Sequence, residues 1–125
     1  MNRQQLQQFI TEFYQAWKVR DETKIPSFYD ENLIAYSDFT KLTLQDILNR
    51  LEFSKDKFSE VNYNIQDQFI DEEQGKVSVR MKQHHIRKDG GVTKWESIML
   101  YTIKNYKITE LWMSFYPNAV YLNND

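Results

Sequence analysis

The amino-acid sequence predicts an α+β protein in which N-terminal helices pack on one face of a curved antiparallel sheet. Two patterns predict this fold class. In the first half of the chain, apolar residues recur at helical spacing behind helix-capping residues, whereas from Val61 onwards they alternate with polar residues, as in strands. The 125 residues contain no linker, repeat or low-complexity tract, and they therefore predict a single domain spanning residues 1–125.

The helices are indicated by their capping residues. Asn2 and Thr43 each precede an apolar stripe, and each has Gln or Asp three residues further on, which is the spacing of a capping box. We expect the first helix to run to about Arg20 and the third to begin after Thr43. Between them, a short second helix ends near Tyr29, and a short strand follows at residues 33–38.

The second half of the chain reads as a meander of antiparallel strands. The segment KDGG is a strong hairpin signal, because glycine tolerates positive φ. A three-residue loop there pairs Met81 with Met99 and His85 with Trp95, which matches large side chains across the two strands. The last strand is expected to end at Pro117.

The two histidines of the chain, His84 and His85, are adjacent. Neighbouring residues of a strand point to opposite faces of the sheet, so this pair is not expected to share a metal ion. His85 is expected on the helix-facing side, opposite Trp95. Two interpretations stay open there: a packed, hydrogen-bonded histidine, or a group that transfers protons near neutral pH.

Composition and missing motifs exclude several classes of function. The net charge of -2 gives no reason to bind nucleic acid or an anionic membrane, and no apolar run approaches the ~20 residues that span a bilayer. The sequence has no cysteine, glycine-rich phosphate loop, serine nucleophile elbow or zinc signature, so neither a cofactor nor a metal is expected. Because its first residues are polar, no signal peptide is predicted, and the cytoplasm is the expected compartment.

The outer face of the predicted sheet carries a strip of apolar residues with a charged rim. The strip includes Ile98, Leu100 and Trp112. Such a surface is typical of a subunit interface, and it predicts a homodimer formed through this outer face. The alternative is that a C-terminal segment or a loop of the same chain covers the strip.

Two segments resemble a known family. FYQAWKVRDETKIPSFYDENLIAYSD resembles the opening of a nuclear transport factor 2-like, or SnoaL-like, domain, where a helix ends at an Asp and a short helix and a strand follow. TIKNYKITELWMSFYP resembles the close of the same family. The resemblance covers nearly the whole chain. It implies a cone, or cystatin-like roll, in which the curved sheet wraps the first helix and leaves an apolar pocket between them.

The pocket implied by this resemblance has an expected lining. Its members are aromatic residues and methionines at helix-facing positions, and they suit a small apolar ligand because methionine adapts its shape. They are Tyr14, Trp17, Met81, Trp95, Met99, Tyr101, Met113 and Phe115.

The resemblance also implies candidate catalytic residues. Ketosteroid isomerases of this fold use a protonated Asp in an oxyanion hole, but that position falls at Met99 here, so ketosteroid isomerase activity is not predicted. Scytalone dehydratase and the SnoaL-type cyclases pair histidine and aspartate with tyrosines or waters. The matching residue types here are His85, Asp38, Tyr36 and Asp67.

Two functional hypotheses follow. The first is a cofactor-independent isomerase, dehydratase or cyclase acting on a small apolar substrate, with Asp38 or Asp67 as the base, His85 as acid or orienting group and Tyr36 as donor. The second is a non-catalytic binding or dimerisation module, whose pocket holds an apolar ligand or is filled by its own side chains. Asp67 is expected on the apolar face of its strand, where a carboxylate needs a partner, unless a bulge turns it outward.

Overall fold

The computed structural model describes residues 1–116, so Pro117, the expected end of the last strand, lies outside the described residues. Within the described range the chain forms three helices and seven strands. They are α1 (Arg3–Val19), α2 (Lys24–Ser27), β1 (Tyr29–Ser37), β2 (Thr40–Leu42), α3 (Leu44–Lys57), β3 (Phe58–Glu60), β4 (Tyr63–Asp71), β5 (Lys76–Arg87), β6 (Val92–Lys104) and β7 (Lys107–Tyr116).

Both predicted capping boxes are present. The Asn2 side chain accepts a hydrogen bond from the Gln5 backbone N–H, and the Gln5 side chain accepts one from Asn2, each at 2.8 Å. Thr43 and Asp46 make the same reciprocal pair at 3.1 and 2.8 Å. Each box satisfies backbone donors that a helix start leaves free, which is why α1 and α3 begin where the sequence indicates.

The strands form one curved sheet in the order β2-β1-β7-β6-β5-β3, and β4 also pairs with β5. The meander from β4 to β7 is antiparallel, as expected. The sheet as a whole is mixed, because β1 pairs with β7 in parallel. A parallel pair needs a long crossover, and here the crossover is the whole segment of the chain from β2 to β6. The α+β prediction is confirmed, with this one parallel pair as a difference.

The predicted register of the β5–β6 hairpin is wrong by two residues. The structure pairs His85 with Thr93 and places Met99 opposite Val79, because the loop is longer than three residues. Asp89 organises this loop by accepting hydrogen bonds from the Arg87 guanidinium and from a backbone amide. A shift of two residues leaves every side chain on its expected face, since side chains alternate with a period of two.

Helix α1 lies against the inner face of the sheet. Its apolar stripe is buried, and the Phe13 ring packs edge-on against Tyr101 of β6 at 5.4 Å and Tyr29 of β1 at 5.8 Å. Truncating such a buried ring costs about 3–5 kcal/mol, so Phe13 fixes the helix over the sheet. None of the helices within residues 1–116 is long and apolar enough to cross a bilayer.

Candidate functional site

A cavity of about 110 Å³ lies between α1, α3 and the inner face of the sheet. Its wall is made mainly of aromatic rings and methionine side chains. All eight residues expected to line a pocket are on this wall: Tyr14, Trp17, Met81, Trp95, Met99, Tyr101, Met113 and Phe115. The strand residues among them share this face because side chains alternate along a strand.

Buried tyrosines form one part of the cavity wall. The Tyr14 and Tyr101 hydroxyls are hydrogen-bonded to each other, and the Tyr14 and Tyr63 rings lie 5.7 Å apart. Burial raises the pKa of Tyr14, Tyr29, Tyr63 and Tyr101 well above that of an ordinary phenol. These hydroxyls therefore remain protonated and can donate hydrogen bonds to a carbonyl or hydroxyl oxygen of a ligand.

His85 lies on the cavity wall, and both of its ring nitrogens are occupied. Nδ1 accepts a hydrogen bond from the Asn62 backbone N–H at 3.1 Å, so Nε2 carries the proton and donates to Gln83 Oε1 at 3.0 Å. Gln83 in turn donates to Ser97 Oγ at 3.0 Å. Burial lowers the pKa of His85 to about 4. His85 is therefore a neutral, hydrogen-bonded wall residue rather than a free proton acceptor.

Asp38 and Tyr36 do not reach the cavity. Asp38 is exposed in the turn between β1 and β2, where its carboxylate accepts a hydrogen bond from Ser114 Oγ at 3.0 Å. Tyr36 lies on the outer face, stacked on Trp112 with ring centroids 4.4 Å apart. The reason is the alternation along β1, which turns Ala35 into the core and its neighbour Tyr36 away from it.

Asp67 is also on the outside of the sheet. The pairing of β4 with β5 slips between Ile65 and Asp67, and this bulge reverses the faces of the residues that follow. Asp67 therefore meets solvent and accepts a hydrogen bond from Arg80 Nε at 2.7 Å. Phe69, expected inside, is 69% exposed for the same reason. The expectation of an inward carboxylate is wrong, and the bulge alternative is what the structure shows.

Helix α3 contributes wall residues that the sequence analysis missed, among them Arg50 and Ser54. The Arg50 guanidinium lies over the Phe115 ring, with Cζ 5.7 Å from the centroid, and Nη1 donates to Met113 Sδ at 3.6 Å. Arg50 and Ser54 follow Ile47 at spacings of three and seven, on the buried stripe of the helix. That spacing is the signal by which they could have been found.

Unsatisfied polar atoms are concentrated at this cavity. Within residues 1–116, three buried side-chain nitrogen or oxygen atoms lack a hydrogen-bond partner: Ser54 Oγ, Gln68 Nε2 and Trp95 Nε1. Two of them, on Ser54 and Trp95, belong to wall residues. No group of three or more His, Asp and Glu side chains in the described part of the chain could hold a metal ion. The wall therefore offers hydrogen-bond donors rather than metal ligands.

The predicted dimer strip lies on the outer face, where Ile98 is 54% exposed and Trp112 is 44% exposed. Leu100 is half-buried between them, directly opposite Trp112 on the neighbouring strand. A charged rim borders the strip, since Arg80 bonds to Asp67 and lies 3.5 Å from Glu96. The dimer itself stays a prediction.

No protein-family model matches the sequence, and no curated protein sequence matches it. Solved structures do match, at low sequence identity. AclR from Streptomyces galilaeus, described as a candidate hydroxylase, superposes with a TM-score of 0.80 at 15% identity, over 89% of this chain and 78% of AclR. IdmH from Streptomyces antibioticus, a candidate polyketide cyclase, superposes with a TM-score of 0.78 at 12% identity, over 93% of this chain and 95% of IdmH.

A third match, a candidate SnoaL-like polyketide cyclase from Shewanella putrefaciens, gives a TM-score of 0.76 at 19% identity, over 91% of this chain and 92% of that one. Likeness at these identities establishes the fold alone, since one fold hosts many functions. The chain thus has the cone-shaped nuclear transport factor 2-like, or SnoaL-like, fold that its opening and closing segments predicted.

Proposed function

We propose that this protein binds a small, mostly apolar molecule in the cavity between α1, α3 and the sheet. The observation that carries the proposal is a cavity of about 110 Å³ walled mainly by aromatic rings and methionines. An apolar cavity of ~150 Å³ can stay dry and bind a molecule as small as benzene. The volume therefore suits a ligand with one six-membered ring, and a larger ligand would extend through the mouth of the cavity.

Binding is favoured over catalysis by the arrangement of the polar groups. The alternative, a cofactor-independent isomerase, dehydratase or cyclase, draws support from the buried hydroxyls of Tyr14 and Tyr101, which could polarise a carbonyl group. It also needs a base. Asp38 and Asp67 lie outside the cavity, and His85 is neutral with both nitrogens engaged. Among the described wall residues there is no carboxylate to take their place.

The test is a titration with neutral one-ring compounds such as toluene, p-cresol and cyclohexanone, followed by ligand-observed NMR and by tryptophan fluorescence. Saturable binding is expected. It should change the tryptophan fluorescence, because two tryptophans lie on the wall. Met99→Phe enlarges a wall residue and should abolish binding, whereas Ile98→Phe makes a similar enlargement on the outer face and should preserve it. Circular dichroism confirms that both variants fold. The proposal fails if no compound binds saturably, or if the folded Met99→Phe variant binds as well as the wild type.

We also propose that two copies of the chain associate through the outer face. Ile98 and Trp112 supply exposed apolar surface, and the Arg80 pairs supply a polar rim, which is the usual composition of an interface.

A further inference from the structure

The polar groups on the cavity wall that lack protein partners are hydrogen-bond donors. The indole N–H of Trp95 can only donate, and it is buried with no acceptor in the described residues. The hydroxyl of Ser54 is buried and unpartnered as well. Burying a donor without an acceptor costs free energy, and an acceptor that reached either group would remove that cost.

Arg50 is the charged residue of the described wall, and it has no ion-pair partner within residues 1–116. It is half-buried, with its guanidinium over Phe115. Asp46, one turn earlier in α3, accepts a hydrogen bond from the backbone N–H of Thr43 in the capping box, and the Arg50 charge makes a smaller contribution to the lowered pKa of its carboxyl. A guanidinium whose contacts are an aromatic face and a thioether keeps donors free for a planar anion.

Arg50 and Trp95 both pack against Phe115. The Trp95 and Phe115 ring centroids are 6.3 Å apart, and the Arg50 Cζ is 5.7 Å from the Phe115 centroid. Ser54 lies one helical turn after Arg50, on the same side of α3. The corner that these residues form is bounded by Met113, which accepts from Arg50.

We infer that the ligand is a small organic carboxylate, whose apolar body occupies the cavity and whose carboxylate binds the Arg50 guanidinium. This inference rests on the proposed function. Arginine presents parallel donors that match the two oxygens of a carboxylate. The single positive charge of Arg50 suits a monoanion better than a phosphate dianion.

The test compares benzoate with benzamide, a neutral molecule of nearly the same shape, by calorimetric titration. Charge-assisted hydrogen bonds are the stronger ones, so the wild type is expected to bind benzoate roughly tenfold to a hundredfold more tightly than benzamide. Arg50→Gln should remove that preference while benzamide still binds, which shows that the cavity is intact. Arg50→Lys keeps the charge but loses the planar fork, and an intermediate preference is expected.

The matched control is Lys55→Gln, which removes one positive charge from the same helix at a side chain that pairs with Glu22 away from the wall. It should leave the preference for benzoate unchanged. Equal affinities of the wild type for both probes, or a preference that survives Arg50→Gln, overturns the carboxylate inference but leaves the proposed function standing. Tighter binding of phenyl phosphate than of benzoate also overturns it. If neither these probes nor the neutral one-ring compounds bind, the proposed function falls and the inference falls with it.

Discussion

Acidification should destabilise this protein through His85. The side chain is 2% exposed, and its ring nitrogens are bonded to the Asn62 amide and to Gln83, so the folded state holds the neutral form. Burial, with smaller repulsions from His84, Lys18 and Arg20, lowers the pKa of His85 from 6.5 to about 4.

The sign and size of the effect follow from this difference. The unfolded chain protonates this histidine below about pH 6.5, but the folded chain does so only below about pH 4. Because the unfolded state binds more protons in that window, the free energy of unfolding falls as the pH is lowered through it. Above about pH 6.5, His85 is neutral in both states and does not change the free energy of unfolding with pH. At about 1.4 kcal/mol for each pKa unit, the loss from this one group between pH 7.5 and pH 4.5 is about 2.5 kcal/mol.

The assay is urea denaturation followed by tryptophan fluorescence at a series of pH values. His85→Gln loses packing and hydrogen bonds, so it should be less stable than the wild type at pH 7.5. Between pH 7.5 and pH 4.5 its free energy of unfolding should nevertheless fall by about 2.5 kcal/mol less than that of the wild type. His84→Gln is the matched control and should retain most of the wild-type fall, because burial, the main cause of the lowered His85 pKa, is unchanged. Equal falls in the wild type and His85→Gln would refute the assignment of a buried, neutral His85.

Two further predictions concern the fold and its association. Gly75 has a φ of +66°, and a Cβ there would lie 2.6 Å from the backbone oxygen of Ile103, whereas a Cβ on Gly90, at +92°, would meet nothing within 4 Å. Gly75→Ala should therefore lower the free energy of unfolding by roughly 2–4 kcal/mol, and Gly90→Ala by about 1 kcal/mol, in urea denaturation; equal losses would show that the close approach is relieved by relaxation. In sedimentation velocity the wild type should be a dimer and Ile98→Asp should be a monomer. The control, Val19→Ser, changes an exposed apolar residue away from the sheet and should remain a dimer. A monomeric wild type would contradict association through the outer face.

Local patterns in the sequence were sufficient for the helix starts and for the side of the sheet on which residues of the regular strands lie. A capping box needs only residues three apart, so Asn2 and Thr43 predict the starts of α1 and α3 from the local sequence alone. The face of a regular strand residue depends only on whether its position is odd or even. Met81 and Met99 therefore reach the wall even though the predicted pairing between their strands is wrong by two residues.

The candidate catalytic group could not be located in the same way. Asp67 turns outward because a bulge inserts one residue into β4, and a bulge changes the side-chain period without a distinct sequence signal. Tyr36 differs from Asp67, because the regular alternation of β1, with Leu33 and Ala35 buried, already turns it outward. Of the four candidates, His85 alone lies on the described cavity wall.

The sequence by itself thus determined the fold class, the helix caps and the side of the sheet on which residues of the regular strands lie, because each depends on neighbours along the chain. Tertiary structure alone decided which polar groups meet there. Arg50 reaches the Phe115 ring because α3 packs against the sheet, and His85 is neutral because it is buried with its nitrogens bonded to Asn62 and Gln83. Contacts between residues that are distant along the chain set the local dielectric and the available partners, and these control charge and binding.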